Sequence, residues 1–282
     1  MIVALEYESQ HPRTPKLFTI AELEWFGRNS YQLALKNTTS WDLRCVVRML
    51  TSCVIIIGHF PHDFGPQVDL LLKCLFARFI LSSALVSLAR TEDNLEKRQN
   101  DYMAMRRHIQ AFDSIVAEHL PDVDQETRDD LARKHAVLLA FDFEGALVLE
   151  QWDNLSVVVQ KATTLRNITA YQAMADSLLR GRPPSQGLLP PAPPPKRIDY
   201  KILHDCPVLY STMRKIINEI WMLESFDATK LAKYTRCLFQ AALPLDDDLS
   251  MKLLDEACSK ARELREVRFS MIAREQTLGT FD

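Results

Sequence analysis

Residues Met213–Glu263 read MRKIINEIWMLESFDATKLAKYTRCLFQAALPLDDDLSMKLLDEACSKARE, and their spacing decides the fold class. Met213, Ile216, Ile217, Ile220 and Trp221 recur at the step of one helical face. Asp227 is placed to cap a second helix, in which Leu231, Tyr234, Leu238 and Ala241 keep the same step. Pro244 cannot sit in a helix interior, so that helix ends near it. Asp246, Asp247 and Asp248 then put negative charge at the start of a third helix, where the macrodipole favours it. That helix carries Leu254, Ala257, Cys258, Ala261 and Leu264 on one side. Three helices with one apolar stripe each must cover one another. The pattern predicts an all-α chain without sheet, its helices antiparallel and stacked in order.

The rest of the chain extends this pattern. Thr19 and Glu22 form a T-x-x-E capping box before Leu23, Phe26, Ser30, Tyr31 and Ala34. The polar run Asn37–Ser40 ends that helix. A second helix spans Trp41 to Ile57 and stops at Gly58 and Pro61. A third, from Pro66 to Ala89, is apolar almost all round, as a central helix is. Lys73 and Arg78 interrupt it, and each would cost roughly 2.5–3.5 kcal/mol near the middle of a bilayer, so a core helix with charges at its rim is expected. A more charged helix follows over Asp93–Leu120, with Tyr102, Met105, Ile109, Phe112 and Val116 as its buried stripe. Asp124 or Thr127 starts the next, which runs through Leu138, Phe141, Ala146 and Leu149. Shorter helices are expected over Asn154–Leu165 and Ile168–Arg180.

Composition agrees with this class. The 282 residues include only seven glycines, too few for sheets joined by tight turns or for phosphate-cradling loops. A formal charge of −3 provides no global field for nucleic acid. None of the six cysteines, Cys45, Cys53, Cys74, Cys206, Cys237 and Cys258, forms a C-x-x-C pair, which suits a reducing compartment better than a disulfide framework. The start, MIVALEYESQ, lacks the basic lead and long apolar run of a signal peptide.

No catalytic, cofactor or metal motif stands out. His59, His62 and Asp63 lie together in HFPHD without further ligands, as in a plain inter-helix loop. His204, Asp205 and Cys206 invite a Cys–His nucleophile, but the trio lacks a fixed scaffold on which to converge. Asp246–Asp248 read as a helix cap rather than a cation site. Arg106, Arg107 and His108, with Lys97 and Arg98, are interleaved with Glu92, Asp93, Glu96 and Asp101, which predicts a solvated, ion-paired helix face. No residue is therefore expected to act in catalysis, cofactor binding or metal binding.

Four strings carry a resemblance. They are KIINEIW with KLAKYTRCLFQAALPLDDDLSMKLLDEACSKARE, FTIAELEWFGRNSYQLALKN at Phe18–Asn37, LLAFDFEGALVLEQWDNLSVVVQKA at Leu138–Ala162, and YQAMADSLLR at Tyr171–Arg180. Together they resemble fungal sporulation-specific meiotic proteins of the Spo-twenty-two/Zip-four type, helical scaffolds related to tetratricopeptide-repeat (TPR) proteins. The resemblance implies a TPR-like α-solenoid; a strict 34-residue period is absent from the residues themselves. It further implies a non-enzymatic scaffold for protein–protein interactions in chromosome synapsis and crossover formation. Its partners would be other meiotic synapsis and crossover proteins, held in helical grooves. It would act in the nucleus on chromosomes, with no membrane contact, only indirect contact with nucleic acid, and no cofactor. Two alternatives belong to other classes. One is a general TPR-like adaptor or regulatory module unrelated to meiosis; the other is an enzyme with an all-α pocket.

Gly181–Arg197, GRPPSQGLLPPAPPPKR, holds seven prolines in seventeen residues and is incompatible with helix. The expected organisation is a loose lead-in over 1–18, a helical array over 19–180, a proline-rich linker or spurious insert over 181–207, a helical unit over 208–266 and a tail over 267–282. Removal of Gly187–Pro207 would leave the short helix–helix connection usual in packed arrays, as a translated intron would. Family members are longer, so the chain is expected to be part of such a protein, and to be sticky when isolated.

Overall fold

The computed structural model describes residues 1–10, 16–60, 67–119, 123–180, 203, 206–223, 225–242 and seven positions between 252 and 263. Ten helices and no strand occur among the described residues. The chain forms two compact units, Met1–Leu149 and Glu150–Asp282.

The first unit contains α1 (Ile2–Gln10), α2 (Ile20–Lys36), α3 (Leu43–Ile57), α4 (Gln67–Thr91), α5 (Leu95–His119) and α6 (Gln125–Val148). Local chemistry sets several boundaries. Thr19 accepts from the Glu22 N–H while the Glu22 carboxylate accepts from the Thr19 N–H at 2.8 Å, the reciprocal box the spacing predicts. Asp42 caps α3 through the Arg44 N–H, and Asp124 caps α6 through the Thr127 N–H. Gly58 ends α3 with ordinary right-handed geometry.

The helix α4 packs on α3, α5 and α6, so its all-round apolar surface is met on several sides. Cys74, Leu75, Ala77, Leu81, Leu85, Val86 and Ala89 form the middle of one core with Val46 and Leu50 of α3 and Tyr102, Met105, Ile109 and Phe112 of α5. Each fully buried Leu or Ile contributes about 1.5–3 kcal/mol relative to exposure. By length and composition α4 passes the test for a membrane span, but its contacts are those of a core helix with Lys73 exposed at the rim.

Residues 1–18, expected as a loose lead-in, include a helix. Leu5 of α1 is buried against Leu23 of α2 and Ile56 of α3, flanked by Met1, Ile2, Phe18 and Phe26. A helix of nine residues with one fully buried position leaves no repeat for sequence reading to detect.

The second unit contains α7 (Trp152–Leu165), α8 (Ile168–Arg180), α9 (Pro207–Trp221) and α10 (Ala228–Ala242). Here α9 is the hub, packing on α7, α8 and α10. Its Met213, Ile216, Ile217 and Ile220 are buried, as are Leu231, Tyr234, Leu238 and Ala241 of α10. Asp227 caps α10 by accepting from the Thr229 and Lys230 N–H groups at 2.9 and 3.1 Å. Between α7 and α8 the chain turns on Arg166 at φ 47°, the left-handed cap conformation.

Pro207 is the first residue of α9, where a proline costs no hydrogen bond, and Cys206 occupies the N-cap. Leu203 is fully buried. All three belong to the segment expected as a proline-rich linker or spurious insert, and buried Leu203 counts against removing its C-terminal part. Residues 187–202 lie outside the described residues, as do Leu254 and Asp246–Asp248.

Candidate functional site

The most developed polar constellation lies where α3, α4, α5 and α6 meet in the first unit. Arg106 on α5 and Asp142 on α6 are both buried, and Arg106 Nε donates to Asp142 Oδ1 at 2.6 Å. Gly145, one turn after Asp142, makes room for the arginine stem. A Cβ built there would stand 3.1 Å from Arg106 Cγ and Cδ and 2.7 Å from Met105 Cε. One turn before Arg106, Tyr102 donates to Glu144 Oε1 at 2.8 Å, and the same carboxylate receives a two-pronged contact from Arg90 of α4. Burial and the Glu144 charge together raise the Tyr102 pKa, which keeps that phenol a donor.

On the other flank of α5, Arg44 of α3 donates to Asp101 at 2.7 Å and to Glu92 at 3.0 Å. Arg78 of α4 lies 3.3 Å from His108 Nδ1. Burial, with Arg78 and Arg107 nearby, pushes His108 down to about 4, so at neutral pH its ring accepts from the guanidinium. His135 of α6 faces Asp113 of α5 at 2.8 Å. Four helices are thus cross-linked by pairs of opposite charge or by donor and acceptor.

This corrects the expectation of a solvated face on α5. Asp93, Glu96, Lys97 and Arg107 are exposed, but Asp101 and Arg106 are 6% and 7% exposed, pair with Arg44 of α3 and Asp142 of α6, and belong to the packed interior. Their partners, Asp142 and Arg44, are not apparent from the α5 sequence. Asp142 and Glu144 interrupt LLAFDFEGALV beside Gly145, and a carboxylate inside an apolar run is the signal that marks them.

In the second unit a shallow depression lies among Arg214, Asn218, Leu238, Phe239 and Glu256. Its polar groups engage one another. Lys260 donates to Asn218 at 2.7 Å and to Glu256 at 3.1 Å, while Arg214 reaches Glu256 at 3.2 Å. Nearby, Tyr234 donates to Asp176 at 3.0 Å, and Arg166 ties the α7–α8 corner to the Met222 carbonyl at the end of α9.

Of the two clusters His59, His62, Asp63 and His204, Asp205, Cys206, only His59 and Cys206 are among the described residues. His59 is half-buried, 3.4 Å from Ser9 Oγ, and His62 and Asp63 lie outside the described residues. Cys206 stands at a helix start, while His204 and Asp205 are not described. Among the described residues no group of three or more His, Cys, Asp or Glu side chains could hold a metal ion. Burial pushes the Cys53 thiol up to about 12, which makes it an inert core residue.

No protein-family model matches this chain, and no curated protein matches it. Among solved structures it is similar to a chain described as "Computational Design of Self-Assembling Cyclic Protein Homooligomers", with 13% identity over 90% of this chain and 96% of that one. The TM-score is 0.33, and a likeness at that level carries no argument. Among the described residues the regular structure is all helix.

Proposed function

We propose that this chain is a non-enzymatic helical scaffold for protein–protein interactions, organised as a TPR-like array. One observation supports the reading above others: several ionisable side chains at its helix contacts pair with one another across helices, as in Arg106–Asp142, Arg44–Asp101 and Tyr234–Asp176. Groups used in that way hold helices in register. The sequential packing of α2 on α3, α3 on α4 and α4 on α5, with α4 also touching α6, is the neighbour pattern that supports an array. Specificity in such a scaffold comes from a few aromatic or arginine anchors on helix faces.

The process we propose is meiosis, at chromosome synapsis and crossover formation, in the nucleus and with other synapsis and crossover proteins as partners. This part rests on the resemblance of the quoted strings. A general adaptor unrelated to meiosis shares the structural features, and expression separates the two. Transcript profiling through sporulation, joined to deletion of the gene, tests the proposal. Induction confined to sporulating cells and a loss of spore viability are expected. Constitutive expression with normal meiosis would favour the general adaptor.

A further inference from the structure

The helix α2 has two opposite faces with the same spacing. Its buried face is Leu23, Gly27, Ser30 and Ala34, at steps of four, three and four. The outward face is Ala21, Trp25, Arg28, Gln32 and Leu35, at steps of four, three, four and three, and all five residues are exposed. That spacing is the seam of a two-helix coiled coil. Trp25 is 60% exposed and Leu35 38%, so the two large apolar residues of this seam lie in solvent near its two ends.

The seam is complementary to itself when reversed. In an antiparallel pairing about a two-fold axis at the level of residue 30, Trp25 of one copy layers on Leu35 of the other, and Arg28 on Gln32. Glu22 then lies beside Lys36 along the flank, both being exposed. Two-fold symmetry repeats each contact, giving two Trp–Leu layers, two Arg–Gln layers and two Glu–Lys pairs. A parallel arrangement would instead set Trp25 on Trp25 and carry Glu22 of one copy and Lys36 of the other to opposite flanks, where they cannot pair.

We infer that the outward face of α2 is a homodimerisation surface that pairs antiparallel with α2 of a second copy of this chain. The inference goes beyond the scaffold reading and does not depend on the process in which the scaffold acts. One helix seam buries less than the roughly 1,200–2,000 Å² of a stable interface, so the association is of the weak class.

The test combines sedimentation equilibrium with zero-length carbodiimide cross-linking of the full chain, using an equal mixture of unlabelled and ¹⁵N-labelled protein. Within one copy Glu22 and Lys36 are fourteen positions apart on one straight helix, roughly 21 Å at 1.5 Å per residue, beyond a zero-length link. A Glu22–Lys36 link with mixed-isotope masses therefore reports the antiparallel pair. Dimer formation at concentrations on the order of 100 µM with that link is expected. Trp25→Ala and, separately, Leu35→Arg should each weaken association at least tenfold and abolish the link, with helix content by circular dichroism unchanged. A strictly monomeric chain at that concentration, or a dimer that forms without the link and survives both substitutions, overturns the inference.

Discussion

Arg106 donates from Nε to Asp142 at 2.6 Å across the α5–α6 contact, and both side chains are removed from water. A buried pair of this kind adds little net stability over a well-packed apolar pair, yet breaking one side leaves an uncompensated charge. Its worth here is positional: it fixes α5 against α6 at the level of Gly145.

Removing one partner should therefore cost far more than replacing both. Asp142→Ala is expected to lower unfolding free energy by about 3–5 kcal/mol, as for other broken buried pairs. Arg106→Met combined with Asp142→Leu should fall within about 1–2 kcal/mol of the parent or exceed it. Urea denaturation followed by circular dichroism measures both, and equal losses in the single and double variants would show that the pair is not buried.

Two helical glycines should respond with opposite signs. A Cβ at Gly27 would meet Ile56 Cγ2 at 3.4 Å, an ordinary contact, so Gly27→Ala should gain about 0.5–1 kcal/mol from helix propensity. At Gly145 the Cβ would stand 2.7 Å from Met105 Cε and 3.1 Å from the Arg106 stem. The methionine tip can move, but the arginine is held by Asp142, so overpacking of about 1–3 kcal/mol outweighs the propensity gain. Thermal melts of the two alanine variants should shift in opposite directions.

The pH dependence of stability follows from His108. Its folded pKa is pushed down to about 4 from an ordinary 6.5, so between those values the unfolded chain binds more protons than the folded one. Stability is therefore full above the unfolded value and declines as pH falls through the window, at most about 1.4 kcal/mol per pH unit for one proton. Asp124 and Asp130, held below their ordinary values by Thr127 and by Lys134, add losses only toward and below the carboxylate range. His108→Gln keeps an acceptor for Arg78 and should flatten stability between pH 6.5 and 4. An unchanged profile would mean that another group carries it.

The left-handed positions offer a third check on the backbone. Glu150 has φ 56° and Arg166 φ 47°. Glu150→Gly should stabilise by about 0.5–1 kcal/mol, because glycine adopts this conformation without steric cost. Arg166→Gly gains the same term but loses the donor to the Met222 carbonyl, so its melting temperature should rise less than that of Glu150→Gly.

The features legible in the sequence were local. The Thr19–Glu22 box, the Asp124 and Asp227 caps and the stripe Tyr102, Met105, Ile109, Phe112 and Val116 are set by neighbours within a few turns; the box and caps take their expected roles, and the stripe is buried save for half-buried Val116. Pairings across 36 residues, such as Arg106 with Asp142, were not legible, because periodicity identifies a buried face but not what stands opposite it. Arg106 therefore reads from sequence as a surface charge. The helix α1 escaped because nine residues with Leu5 alone fully buried show no repeat.

The scaffold proposal makes its most direct claim about place. The measurement is immunostaining of an epitope-tagged chain, expressed from its own promoter, on spread chromosomes through meiotic prophase. Discrete foci or lines along synapsing chromosomes, absent before meiosis, are the predicted result. A diffuse signal off the chromosomes at every stage, with the protein present on immunoblots, would contradict the account.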